Sequence, residues 1–128
     1  MVGAVLVAGL PDPKSRTLDR GVRRYRRKVA SPRQWQAIHA AKGYTCRMCG
    51  RKPVQYHHLV ERDAPHFGDD VADNIVPLCT LDHALITRRH KLALYRLAEA
   101  LTDAEYAYVV GKVGEDAMRL VFGVEARP

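Results

Sequence analysis

All three cysteines of this chain and four of its six histidines lie in one stretch, from Cys46 to His83. Thiolates and imidazoles are common protein ligands of zinc, and a neutral imidazole also accepts a proton near pH 7. The sequence Cys46-x-x-Cys49-Gly50 presents two thiolates from a tight turn, and its glycine relieves the backbone after the turn. Such a metal clip does not need the histidines, which therefore indicate a second site.

The cysteine count and the length limit the classes of protein to consider. Three cysteines, two of them in a metal-type spacing, favour a reducing cytoplasmic compartment over a secreted disulfide framework. The apolar opening from Val2 to Leu10 has no charged n-region and is too short to span a bilayer, so we expect a terminal strand or a frayed tail. A length of 128 residues predicts one domain with a small core that gains stability from a metal.

The net charge of +7 is concentrated in an N-terminal arm. Between Lys14 and Arg33 lie nine of the 21 basic residues and one of the 14 acids. Such a run beside an otherwise neutral domain is typical of a segment that binds a polyanion such as DNA, although a solvated tail without a partner remains the alternative. The run has no apolar face for a membrane surface. We expect phosphate contacts from Arg20, Arg23, Arg24, Arg26, Arg27 and Lys28.

Three elements are predicted to position the chemistry. A helix begins after Ser31, whose capping box with Gln34 precedes an apolar stripe of Trp35, Ile38 and Ala41, and it ends at Gly43. Two strands then follow, Val54 to His58 and Ile75 to Leu78, with Pro77 near the end of the second. A further helix, capped by Thr80, runs through Ile86 and holds His83 in its first turn, pointing back towards the strands.

The connection between the strands, Leu59 to Asp73, is too long for a tight hairpin. Loops of this length without structure of their own are often functional, so we expect this one to shape a groove or contact a substrate. Its acids are expected to be solvated rather than to act as ligands; they are Glu61, Asp63, Asp69, Asp70 and Asp73. We also expect His39, on the first helix, at the surface or boundary rather than in a metal site.

Beyond residue 90 the sequence predicts structure rather than chemistry. Thr102 and Glu105 form a second capping box between two helices. The apolar stripes of these helices follow the i, i+3, i+4 rule and consist of Leu94, Leu97, Ala98 and Leu101, and of Tyr106, Val109, Val110 and Val113. A last helical turn is predicted from Met118, Val121 and Phe122, before Gly123.

The whole arrangement resembles the HNH nucleases, which have a ββα-metal (His-Me finger) fold. Their pattern is a Cys-x-x-Cys knuckle, a strand ending in Asp-His or His-His, an asparagine before a Leu-Cys, and a histidine in the helix that follows. The matching residues here are Cys46, Cys49, His57, His58, Asn74, Leu78, Cys79 and His83. The resemblance implies an α+β fold with a structural zinc knuckle and flanking helices. It divides the chain into an arm (1–30), a nuclease domain (31–92) and a helical extension (93–128).

The resemblance also implies roles for individual residues in the hydrolysis of DNA. His58 would be the general base, His57 and His83 would hold a catalytic Mg²⁺, Mn²⁺ or Ni²⁺ ion, and Asn74 would hold the loop and orient the base. A small phage-type protein is implied, acting in the cytoplasm of an infected bacterial host with packaging or recombination proteins. The alternative is a non-catalytic, zinc-stabilised module that binds nucleic acid or protein, which does not account for all four of these residues together.

The chain departs from the family pattern at Asp82. The family has a cysteine or histidine three residues after the third cysteine, so the structural zinc site here would consist of Cys46, Cys49, Cys79 and Asp82. Carboxylate oxygen is an acceptable zinc ligand, although thiolate or imidazole is commoner in structural sites. Three explanations stay open: Asp82 ligates, water or another histidine such as His66 or His90 replaces it, or the site binds zinc weakly.

Overall fold

The computed structural model describes residues 27–114, 119 and 121–123, so the apolar opening, most of the basic arm and Met118 lie outside the described residues. The described part is a small mixed α/β protein. It contains four α-helices and one two-stranded antiparallel sheet. In chain order these elements are α1 (Pro32–Lys42), β1 (Val54–His58), β2 (Ile75–Cys79), α2 (Thr80–Thr87), α3 (Lys91–Ala100) and α4 (Asp103–Val113).

Helix α1 begins and ends where the sequence predicts. The Ser31 side chain accepts from the Gln34 backbone, the Gln34 side chain accepts from the Ser31 backbone, and the Gly43 N–H closes the last turn on His39. The predicted stripe is only partly correct, because Ile38 is buried and Trp35 is half-buried, whereas Ala41 is exposed.

Strands β1 and β2 pair directly across the long loop, with His57 opposite Val76 and His58 opposite Ile75. Alternation along β1 sends Tyr56 and His58 to one face of the sheet and Gln55 and His57 to the other. Pro77 lies at the centre of β2, not near its end, opposite Tyr56. A two-stranded sheet has a free edge on each strand, where a missing N–H costs no ladder hydrogen bond.

Helix α2 differs from the prediction at its first residue. The cap is Cys79, whose sulfur accepts from the Asp82 N–H at 3.4 Å, and Thr80 is already helical. The prediction of a Thr80 cap is therefore wrong. Because β2 runs into α2 without a linker, Cys79, Asp82 and His83 are held within one rigid turn.

One hydrophobic core joins the clip, the sheet and the C-terminal helices. The predicted stripes of α3 and α4 supply much of it, and its fully buried members include Leu78, Leu97, Val109 and Phe122. The second capping box forms as predicted, between Thr102 and Glu105. Val121 and Phe122 are helical before Gly123, as expected. No helix within the described ranges is long and apolar enough to cross a membrane.

Candidate functional site

Four side chains from the clip, the end of β2 and the first turn of α2 converge on one point; they are Cys46, Cys49, Cys79 and Asp82, with ligand atoms within 4.8 Å of one another. Asp82 Oδ2 lies 3.1 Å from Cys46 Sγ and 3.3 Å from Cys79 Sγ. The sulfurs of Cys49 and Cys79 are 3.6 Å apart. A tetrahedral centre with Zn–S bonds of about 2.3 Å has S–S edges of about 3.8 Å, so the cluster has the required size. This group could bind a metal ion such as zinc.

The electrostatics of this cluster also favour a bound cation. The backbone of Arg51 lowers the pKa of the Cys49 thiol, but desolvation and the neighbouring Asp82 and thiols raise it to about 12. Burial raises the pKa of Asp82, yet hydrogen bonds from the three thiols lower it on balance, so the carboxylate is ionised at neutral pH. Ionising the Cys49 thiol beside it is therefore unfavourable without a cation, and a metal ion bound there would displace its proton.

The structure bears on the three explanations for the fourth ligand. The Asp82 carboxylate lies inside the cluster, as ligation requires. His90 instead caps α3, where its Nδ1 accepts from the Ala93 N–H at 3.3 Å. His66 lines a cavity beside β1. Neither spare histidine belongs to the metal cluster that the described residues form.

The rings of His57 and His83 lie edge-to-face between β1 and α2. Their ring centroids are 5.3 Å apart, and Gln55, on the same face of β1, hydrogen-bonds His83 Nδ1. Burial, followed by the neighbouring His83 and His58, lowers the pKa of His57 to about 4, and burial lowers the pKa of His83. Both imidazoles are therefore neutral at pH 7, with a lone pair on each ring for a metal ion.

His58 has a different partner. Its Nε2 lies 2.8 Å from Asp70 Oδ1. Burial lowers the pKa of His58 despite the opposing effect of Asp70, and the pKa of Asp70, which burial alone would raise, is lowered by the Ala30 N–H, His58 and Arg27. A neutral imidazole beside a carboxylate must carry its proton on Nε2, which leaves Nδ1 as the proton acceptor. Trp35 packs edge-on against the ring, with centroids 5.8 Å apart.

Asp70 and Asp69 overturn the expectation that all the loop acids are solvated. Asp70 is 7% exposed and is bonded by Arg27, by His58 and by the Ala30 N–H at 3.0 Å. Asp69 accepts from Tyr108 at 2.8 Å and pairs with Lys112 of α4. Buried carboxylates are stable when paired in this way, because the partners replace lost water. Nothing in the sequence distinguishes these two acids from Asp63 of the same loop, which is exposed.

Asn74 is fully buried and holds the ends of the loop together. Its Oδ1 accepts from the Val60 N–H at 2.7 Å, and its Nδ2 donates to Val60 and Asp69 carbonyls at 3.0 and 2.9 Å. Gly68 lies so close that an added Cβ would be 1.8 Å from the Val60 carbonyl oxygen, so only glycine fits there. Asn74 thus braces the loop, whereas the side chain that bonds His58 is Asp70 and not Asn74.

Of the six basic residues expected to bind phosphate, Arg27 and Lys28 are within the described residues, and Arg20, Arg23, Arg24 and Arg26 are not. Arg27 donates to Asp70 and to the Gly68 carbonyl, at 2.9 Å for the latter. The Lys28 backbone bonds Asp69 and Asp70. Arg27 is therefore a structural ion-pair partner that fastens the end of the arm beside His58.

A cavity of about 330 Å³ is lined in part by His57 and His58. Although strand alternation directs His57 and His58 to opposite faces, both line this cavity, together with the loop, the end of α2 and Phe122. The predicted contribution of the loop to a groove is observed here. His39, by contrast, stacks on Tyr56 with centroids 3.9 Å apart, at the half-buried boundary where the sequence predicts it.

Comparison of this chain with protein-family models, with curated proteins and with solved structures found no match in any of the three.

Proposed function

We propose that this chain is a metal-dependent endonuclease of the HNH type that hydrolyses phosphodiester bonds in DNA. The observation that carries the proposal is the His58–Asp70 pair next to the neighbouring rings of His57 and His83. Phosphodiester hydrolysis needs a group that takes a proton from water and a cation near the phosphate. A neutral, oriented imidazole suits the first need, and two neighbouring neutral imidazoles suit the second.

His58 acts as the general base. Asp70 holds the proton on Nε2, so that Nδ1 accepts a proton from the attacking water, and the charge that develops on the ring is stabilised by the same carboxylate. Arg27 and the Ala30 N–H keep Asp70 in place. Arg27 donates to Oδ1, the oxygen that His58 also contacts, and the Ala30 N–H donates to Oδ2. Asp70 is therefore a positioning residue.

His57 and His83 would hold the catalytic divalent ion, which supplies neutralising charge at the scissile phosphate and the leaving oxygen when it is bound. Imidazole nitrogen suits Ni²⁺ better than Mg²⁺, which prefers oxygen ligands. We therefore expect Ni²⁺ to support cleavage at lower concentration than Mg²⁺.

The cysteine cluster has a structural role in this proposal. Zinc held by Cys46, Cys49, Cys79 and Asp82 would join the clip, β2 and α2, and thereby fix the turn that carries His83. The basic arm would bind the DNA backbone without reading its sequence. Its described end is fastened at Asp69 and Asp70, beside His58.

A plasmid-nicking assay tests the proposal. Zinc-loaded protein is incubated with supercoiled DNA and with Mg²⁺, Mn²⁺, Ni²⁺ or no added ion. His58→Ala should lower the cleavage rate by about 10²- to 10⁴-fold, with DNA affinity unchanged. His39→Ala is the matched control, since His39 is a neighbouring half-buried histidine outside the cavity.

Two results would count against the proposal in different ways. Cleavage by His58→Ala at the parent rate would assign the base elsewhere. DNA binding by the parent without cleavage under any ion would favour the non-catalytic, zinc-stabilised binding module.

A further inference from the structure

The cavity beside the two histidines is larger than general acid–base chemistry needs. Its inner wall is apolar and includes Ile86, Leu94 and Phe122, which are 5%, 3% and 1% exposed. Its polar groups come from His58, His66, Arg89 and Thr87 and from two carboxylates, Glu61 and Asp63. A small polar ligand such as water or a lone phosphate leaves such an apolar wall unfilled.

The volume and lining fit one flat heteroaromatic ring. About 330 Å³ lies at the low end of small-ligand pockets, which span roughly 300–1,000 Å³. A nucleobase matches the combination of an apolar wall with polar groups nearby, because its faces are apolar and its edge carries donors and acceptors. His58 lies in the wall, so a base in the cavity would be joined to a phosphate near the proposed reaction centre.

A second cavity adjoins the first and offers a path for the DNA strand that carries the base. It has a volume of about 440 Å³, is lined by Arg27 and Arg62, and shares Asp63 and Ala64 with the first. The two cavities therefore adjoin at the same loop segment. The exposed Arg62 guanidinium provides positive charge for the backbone of a DNA strand whose base enters the first cavity.

We propose that the first cavity takes one unstacked nucleobase of the strand that is cut. The inference rests on the proposed nuclease function and names its substrate class, which is DNA with an unpaired nucleotide, as in single strands, bulges and branches. A base within a perfect duplex must first leave the stack, which costs a few kcal/mol, whereas an unpaired base avoids most of this cost.

The experiment compares four end-labelled substrates of one sequence: a single strand, a perfect duplex, a duplex with one bulged nucleotide, and the same bulge with an abasic residue. The parent should cut the single strand and the bulge about tenfold faster than the duplex, the value of one buried base contact. The abasic bulge should lose this advantage. Equal rates on the perfect duplex and the bulge, or on the abasic and normal bulges, would overturn the inference.

A cavity-filling variant provides the second part of the experiment. Thr87 lines the cavity and is exposed at the end of α2, so Thr87→Trp obstructs the cavity with little cost to folding. It should reduce the ratio of bulge cleavage to duplex cleavage from about ten to about one. Gln36→Trp, at an exposed site on α1 outside the cavity, is the control and should change neither rate. Parent-like bulge cleavage by Thr87→Trp would contradict the inference.

A binding measurement separates this inference from the proposed function. The His58→Ala protein is mixed with an oligonucleotide carrying 2-aminopurine at the bulge, whose fluorescence rises when the base leaves the stack. The rise should occur with His58→Ala and disappear when Thr87→Trp is added to it. If the parent cuts no substrate but this signal is present, the nuclease function fails and the base-binding cavity stands. Without the signal, the cavity assignment fails whatever the cleavage result.

Discussion

Replacing Glu105 with glutamine tests the buried ion pairs that tie the C-terminal helices to the metal clip. Glu105 is fully buried, and its two carboxylate oxygens accept from Arg47 at 2.7 and 3.0 Å. Lys42, at the end of α1, donates to the same carboxylate. Arg47 belongs to the clip and also donates to the Ala100 carbonyl at 3.1 Å, so the loss of one negative charge affects three elements.

The expected loss of stability on replacing Glu105 follows from the pKa of its carboxyl group. Burial alone would raise it, but hydrogen bonds from Arg47, Lys42 and the Thr102 N–H lower it from 4.5 to about 2. A carboxyl with this difference between the unfolded and folded states contributes about 3 kcal/mol to stability at pH 7. We therefore expect Glu105→Gln to lower the free energy of unfolding by about 3 kcal/mol, since the amide leaves two cations without a counter-charge.

The contribution of Glu105 to the free energy of unfolding depends on pH with a definite sign. Because folding lowers the pKa, the contribution is complete above pH 4.5 and declines as the pH falls towards about 2. The stability gap between parent and variant should thus narrow to about 2 kcal/mol at pH 3.5.

Urea unfolding, followed by the fluorescence of the single tryptophan, Trp35, measures this gap with zinc in excess. Glu99→Gln is the control, because Glu99 is exposed on α3. It should change stability by less than about 0.5 kcal/mol. A Glu105→Gln gap below about 1 kcal/mol at pH 7, or one that does not narrow in acid, would refute the reasoning.

Three further predictions concern the site. Asp70→Asn should lower the single-turnover cleavage rate at saturating DNA by about 10- to 100-fold, because it disturbs the orientation of His58. A parent-like rate at saturation would contradict this role. Asp82→Ala should weaken zinc binding in a chelator competition, whereas Asp82→Cys should retain or strengthen it. If Asp82→Ala binds zinc as tightly as the parent, Asp82 is only an acid favoured at the N-terminus of a helix. Replacing Arg20, Arg23, Arg24 and Arg26 with alanine, while keeping Arg27 for Asp70, should reduce the salt slope of DNA binding by about 0.9 per lost phosphate contact. The cleavage rate at saturating DNA should remain that of the parent, and an unchanged salt slope would identify the arm as a passive tail.

Elements governed by neighbouring residues follow from the sequence. The capping boxes of Ser31 with Gln34 and of Thr102 with Glu105 form as predicted, because each depends on contacts three residues apart. The strands also form as predicted, since each is a short local run rich in strand-forming residues. The predicted cap of α2 was wrong by one residue, because the sulfur of Cys79, and not the Thr80 hydroxyl, caps the helix.

The sequence by itself determined the clip, the histidine pair, the charge of the arm and most of the helices, since residue type and spacing suffice for these. Only the tertiary structure decided the partners of the charged groups. Asp70 bonds His58 across 12 residues and Arg27 across 43, and Glu105 bonds Arg47 across 58. Which of several acids becomes buried depends on how the loop closes against the arm and α4, and no local pattern carries that information. The cavity arises in the same way, because its walls come from the loop, two helices and the C-terminal turn, which meet only when the core is packed.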